Sequence, residues 1–291
     1  MVIGTAGPNG GGATAGLDIE PLSPVLGGRI RGVDLTRPVG AEAHTAITDA
    51  FERYSVLCFP GQSLSDEDQI RFAGLFGKAD SSAAPVKFDD GEKRPKRGVM
   101  FISNLRENGE LVGALPDGEL HFHSDGAHRA QPYRATTLYA IKIPTRGGET
   151  RFANMTAAYD ALSDAMKHRL AGRRARYVYD VRATLREHTN EADDSLSSAE
   201  HPIIRTHPRT GRRAIYLSRL MTRNIVGMDR SESDALLEEL FQHIEQARFV
   251  YAHSWALSDL LIWDNRCLNH ARNDFPPAEE RHLRRVTVSD A

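Results

Sequence analysis

At 291 residues, with 40% hydrophobic and 26% charged side chains, the chain has the make-up of a soluble globular protein able to bury a full core. A formal net charge of -2 lacks the basic excess of a nucleic-acid surface, and no run of about 18 apolar residues is present to cross a membrane. Two cysteines cannot build a disulfide framework, and the first residues carry no basic-then-apolar leader, so the expected location is cytoplasmic.

In chain order, residues 1–16 (MVIGTAGPNGGGATAG) read as a flexible Gly/Ala-rich tail, and 17–291 as a single domain. Short apolar runs broken by Gly27, Gly28 and Gly32 predict strands and turns between Leu17 and Leu35. A helix is expected over Ala41–Tyr54, then a buried strand Ser55–Phe59 ended by Pro60 and Gly61. Ser65 caps the next helix, with Asp66, Glu67 and Asp68 suiting its positive end and Gly77 stopping it. Polar stretches near 78–120 and 187–200 lack a helical period and read as lid-like loops. Further helices are expected over Met155–Gly172 and Ser231–Gln246, the latter with an apolar stripe of Leu236, Leu237, Leu240, Phe241 and Ile244 that belongs to the core. Strands are expected at Thr136–Ile143, Arg213–Leu217, Arg248–His253, Leu260–Trp263 and Leu283–Val288. Many short strands with helices at the periphery describe a mainly β sandwich or barrel.

Twelve histidines say little singly, so spacing must select among them. In His121–Phe122–His123–Ser124–Asp125, strand alternation lets His123 and Asp125 converge on one ion, although His121 lies on the same alternation and spacing alone does not choose between the two histidines. A second imidazole from elsewhere completes a two-His, one-carboxylate set. That set holds one face of an octahedral Fe(II) and leaves positions open for substrate and oxygen. Near the C-terminus, the strand Leu260–Trp263 runs through a polar turn to His270, and Arg281, Arg284 and Arg285 follow. A dicarboxylate needs a planar two-pronged donor, which arginine supplies. On one strand Arg281 and Arg285 share a face, while Arg284 points away and reads as a solubilising residue.

These motifs, together with the Gly147–Gly148–Glu149–Thr150 turn, the Trp263–Asp264–Asn265–Arg266 segment, Gly32–Val33–Asp34–Leu35 and the helix end Phe76–Gly77, resemble the TauD/TfdA family of taurine and 2,4-dichlorophenoxyacetate dioxygenases. The resemblance covers nearly the whole chain beyond the tail. It implies a double-stranded β-helix (jelly-roll, cupin-like) core and an Fe(II)/2-oxoglutarate-dependent dioxygenase, an oxidoreductase that uses O2 and releases succinate and CO2. It implies His123, Asp125 and His270 as the metal ligands and catalytic centre, Thr150 and Arg281 as the 2-oxoglutarate holders, and Arg285 as the residue gripping an anionic substrate. The substrate is then a small organic carboxylate, sulfonate or sulfate ester, which fragments where hydroxylation falls beside O, N or S. A homo-oligomer is implied as well. Phe122 replaces the Trp that commonly precedes the first ligand, and Glu119 stands where taurine dioxygenase has Asn; a carboxylate there would repel a sulfonate. The competing readings are a catalytically silent protein binding 2-oxoglutarate or another anion, and a zinc hydrolase using the same three ligands.

Overall fold

The computed structural model describes residues 16–80, 98–115, 118–179 and 196–290. The expected tail, residues 81–97 and 116–117 of the first lid-like stretch, and residues 187–195 of the second lie outside them, apart from Gly16.

Strands β1 (Asp18–Pro21) and β2 (Gly28–Arg31) form a hairpin. Helix α1 (Ala41–Tyr54) buries Ile47, Ala50 and Phe51, and stops where Ser55 turns left-handed (φ 61) and its N–H bonds Phe51 O at 2.8 Å. The chain thereby reverses directly into β3 (Val56–Phe59). Helix α2 (Asp66–Ala73) opens with a capping box: Ser65 Oγ accepts from Asp68 N at 3.2 Å, and the Asp68 carboxylate accepts from Ser65 N at 3.0 Å. It ends at Ala73, before Gly77. That glycine instead lets a neighbouring strand approach, since a Cβ on it would lie 2.1 Å from Ser289 O.

After β4 (Lys78–Ala79) come β5 (Met100–Ser103), the β6/β7 hairpin (Arg106–Glu107, Glu110–Leu111), β8 (Leu120–His123), β9 (Ala135–Lys142) and β10 (Thr150–Asn154). The single helix expected over Met155–Gly172 is two, α3 (Met155–Asp160) and α4 (Asp164–Leu170), because Ser163 caps a fresh start by accepting from Met166 N. Strands β11 (Arg174–Val178), β12 (Ser198–Pro202), β13 (Ile204–Thr206), β14 (Arg213–Ile215) and β15 (Thr222–Ile225) build two small sheets. Helix α5 (Arg230–Ile244) buries the predicted stripe. It leads to β16 (Val250–His253), β17 (Leu260–Asp264), β18 (Leu268–Arg272) and β19 (His282–Ser289).

The major sheet runs β1-β2-β3-β17-β9-β19-β4, with β5 also on β19; the facing sheet runs β16-β10-β18-β8. Phe152 of β10 meets Trp263 of β17 edge-on with ring centroids 5.4 Å apart, which marks the apolar layer of the jelly roll. A second apolar layer lies under the helices on the other face, where Phe51, Phe59, Phe72 and Phe76 pack edge-to-face. The major sheet is therefore covered on both sides. All five residues of β17 are buried, and the run is continuously apolar up to Asp264.

This double cover overturns the solubilising role expected for Arg284. Its side chain is buried under α2, where Nε donates to Gln69 Oε1 (2.7 Å), Nη1 to Asp66 Oδ1 (2.5 Å) and Nη2 to Leu64 O (2.7 Å). Replacing it by Ala leaves these acceptors unpaired beneath the helix. Arg284→Ala should cost about 3 kcal/mol of stability in urea unfolding, and a loss below about 0.5 kcal/mol, the level of an ordinary surface change, would refute the docking role.

Candidate active site

Three strands bring the predicted residues together. In the antiparallel pair β18/β8, His270 lies across from His123, and their rings are 4.1 Å apart at the centroids. On the other side of β18, Phe152 is the register partner of His270. Trp263 from the major sheet closes on the same imidazole at 4.7 Å. His270 thus follows the turn at 265–267, as expected, as the third residue of β18, and apolar rings fix its orientation. Asp125 lies two residues beyond the end of β8, in a buried turn, so a reversal of the backbone and not strand alternation brings it to His123. His121 is exposed, and stays out of the cluster.

The Nε2 atoms of His123 and His270 lie 3.9 Å from Asp125 Oδ1 and 3.7 Å from Asp125 Oδ2 respectively. His123 Nδ1 is 2.9 Å from His121 O; a carbonyl only accepts, so Nδ1 carries the proton. In the neutral ring the Nε2 lone pair then faces the carboxylate. Burial pushes His270 down to about 3, with the neighbouring His123 adding to the fall, and it lowers His123 as well. Burial alone would raise the Asp125 carboxyl, but Arg285, His270 and His123 outweigh it and hold it well below the usual carboxylate range. Two neutral imidazoles and one carboxylate, their ligand atoms within 4.8 Å of one another, form a set of acceptors that a divalent cation fits.

Two further buried clusters among the described residues, Cys58/His253/Asp259 and His207/Asp264/Cys267, are closed within themselves. His253 Nε2 lies 3.2 Å from Asp259 Oδ2. His207 Nδ1 accepts from the backbone N–H groups of Arg209 and Thr210, so its Nε2 donates to Asp264 Oδ2 at 3.0 Å, and Arg266 bonds both oxygens of the same carboxylate.

His123 and His270 open onto a cavity that Thr150, Arg272, Arg281 and Arg285 also line. Thr150 pairs across from Arg272, two residues along the strand from the Phe152/His270 pair, a step of about 7 Å. Its hydroxyl accepts from Trp255 Nε1 at 3.1 Å, which leaves its own proton to donate. Arg281, just before β19, is 2% exposed, and among the described residues its guanidinium bonds only Gly148 O, at 3.2 and 3.3 Å. Burial pushes it down to about 9, with Arg272 adding to the effect; it remains a cation at neutral pH and has no ion pair among the described residues. Arg272 was not singled out from the sequence, although its place two residues after His270 on one strand is a legible signal. Its guanidinium donates to Leu115 O and Gly118 O at 2.7 Å, so it ties the segment before β8 to β18. Arg285 reaches Asp125 Oδ1 at 3.2 Å and Met100 Sδ at 3.1 Å.

The family model described as "Taurine catabolism dioxygenase TauD, TfdA family" matches residues 18–287. The chain belongs to this family. It is similar to the α-ketoglutarate-dependent 2,4-dichlorophenoxyacetate dioxygenase of Cupriavidus pinatubonensis, with 32% identity over 93% of this chain and 97% of that one. The crystal structure of AAD-2 with Mn(II) and N-oxalylglycine superposes with a TM-score of 0.78 at 31% identity, covering 94% of this chain and 98% of that one. A taurine dioxygenase from Burkholderia xenovorans superposes equally well, with a TM-score of 0.78 at 28% identity over 95% and 90% of the two chains. The protein is thus an oxidoreductase of the α-ketoglutarate-dependent dioxygenase class, and the jelly roll expected from the sequence is the fold of its relatives. No helix among the described residues is long and apolar enough to cross a membrane.

The buried imidazoles of this dioxygenase carry a pH signature. An unfolded histidine titrates near its ordinary value of 6.5 while folded His270 stays neutral to about 3, so the unfolded chain alone gains a proton as the pH falls between them. Stability is therefore full above about 6.5 and declines below it. Denaturant unfolding of the metal-free protein at pH 7 and pH 5 should differ by roughly 2 kcal/mol from His270 alone, and His270→Gln should remove that share.

Proposed function

We propose that the protein uses Fe(II), held by His123, Asp125 and His270, together with 2-oxoglutarate and O2 to hydroxylate a small organic anion in the cytoplasm. The observation that carries this reading is the cavity itself, which has the two imidazoles of the His123/Asp125/His270 set along one part and, along another, the buried Arg281 guanidinium, which has no ion pair among the described residues. A buried cation without a counter-ion is costly, and a ligand carboxylate would relieve it. Arg281 provides the two-pronged donor and Thr150 the hydroxyl proton for the far carboxylate of 2-oxoglutarate. A zinc hydrolase would have no use for this pair.

The iron, when bound, supplies oxygen activation and the oxidising power that turns 2-oxoglutarate into succinate and CO2 while a substrate C–H bond is hydroxylated. The protein's own residues do the rest. Arg281 and Thr150 fix the cosubstrate along the strand direction. Phe152 and Trp263 keep water from the His270 imidazole. Arg285, with one prong on Asp125, offers the other to a substrate anion and so places that substrate beside the metal site. Relatives acting on 2,4-dichlorophenoxyacetate and on sulfate esters support an anionic substrate, and carboxylates, sulfonates and sulfate esters are the classes to assay. A homo-oligomer completes the reading.

An oxygen-free visible spectrum with Fe(II) and 2-oxoglutarate should show a weak metal-to-cosubstrate charge-transfer band in the wild type and none in Asp125→Ala, which should also form no succinate. Normal succinate production by that variant would sink the assignment. Arg285→Ala should weaken substrate binding more than 2-oxoglutarate binding, read by the perturbation of that band; equal losses would remove its role.

A further inference from the structure

We infer that Thr136, aimed by Asn265, is a positioning residue that fixes the carboxylate plane of Asp125 for metal binding; this rests on the reading of Asp125 as a ligand. The argument begins with the Asn265 amide. Its Oδ1 receives Trp263 Nε1 at 3.1 Å and the Asp125 backbone N at 3.3 Å, and both of these groups only donate. That end of the amide is therefore the oxygen. The other end, Nδ2, must donate, and it faces Thr136 Oγ1 at 3.0 Å. With Asn265 donating into its oxygen, the Thr136 hydroxyl proton points at Asp125 Oδ2, 2.7 Å away. The result is a one-way chain of donors from Asn265 through Thr136 to Asp125.

Every member of this chain is buried, with Thr136 at 0%, Asn265 at 1% and Asp125 at 5% exposure, so no bulk water competes. The anchors are rigid. Thr136 is the register partner of Trp263 in the β9/β17 pair, and Asn265 lies two residues beyond that Trp. Ser124 Oγ donates to Asn265 O at 2.8 Å, which ties the turn carrying Asp125 to the same residue. Asp125 sits beyond its strand, so no ladder hydrogen bond orients it. The Asn265–Thr136 chain fixes Oδ2 while Arg285 meets Oδ1, and the two carboxylate oxygens are thereby held toward the two imidazole Nε2 atoms.

Thr136→Val keeps the shape and removes the proton, while Thr136→Ser keeps the proton. Metal affinity is read by competition with a chromophoric chelator for Zn(II) or Co(II), and site geometry by the Co(II) absorption spectrum. Thr136→Val should bind 10–100-fold more weakly, by about the usual effect of removing such a partner, with a shifted Co(II) spectrum, and Thr136→Ser should restore both. Should Val be poorly folded, Thr136→Ala gives the same reading. Wild-type affinity and spectrum in a folded Val or Ala variant, alongside loss of metal in Asp125→Ala, would overturn the inference and leave the ligand assignment standing. Wild-type metal binding in Asp125→Ala would overturn both.

Discussion

The site depends on one backbone register, in which β18 and β8 place His270 and His123 opposite one another inside an apolar layer. A slip of either strand by one residue would send its imidazole to the other face of the sheet, away from its partner. The register holds because Phe152 flanks the same strand and Trp263 covers it from the major sheet. Packing thus does for the two imidazoles what hydrogen bonds do for Asp125. The two mechanisms meet at the segment Trp263–Asp264–Asn265–Arg266. Its first residue presses on a histidine, its third holds the carboxylate, and its second and fourth close a buried ion pair that His207 braces.

Charge is distributed in the cavity with the same economy. Asp125 meets Arg285, so the region around His123, Asp125 and His270 is close to neutral. The guanidiniums of Arg272 and Arg281 both lie near the Phe275 ring, 5.5 and 5.9 Å from its centroid. Arg272 is occupied with backbone carbonyls, whereas Arg281 has no ion pair among the described residues. The uneven field gives a dicarboxylate a preferred orientation, and a neutral molecule of the same size would gain nothing from it.

Much of this was legible in the sequence, for reasons that differ between elements. Helices α1 and α2 follow from apolar spacing and the Ser65 cap, both local signals. The His123/Asp125/His270 set could be named from motif order, and the strand-turn approach to His270 was legible, yet the stated geometry missed in one place: Asp125 lies in the turn after β8 and not on the strand. Alternation along one strand cannot foresee a backbone reversal. Arg284 was misjudged because its burial comes from α2, 215 residues earlier in the chain at Gln69, and no local pattern reports such a contact. Thr136 gave no signal at all. A threonine in a β-rich run is ordinary, and only the register with Trp263 turns it into a neighbour of the carboxylate.

The two cysteines carry a consequence for chemical durability. Both are buried, and burial pushes the Cys58 thiol up to about 12 and raises Cys267 as well. Thiolate, the form that peroxide attacks, is then nearly absent at neutral pH. Since the chain has no other cysteine, an enzyme that handles oxygen at its centre presents no reactive thiolate to by-products escaping from its own cavity, and the sulfur nearest that cavity is the Met100 thioether beside Arg285. It also offers no surface thiol through which two molecules could be cross-linked, so ageing in air should leave it free of intermolecular disulfides while the fold persists.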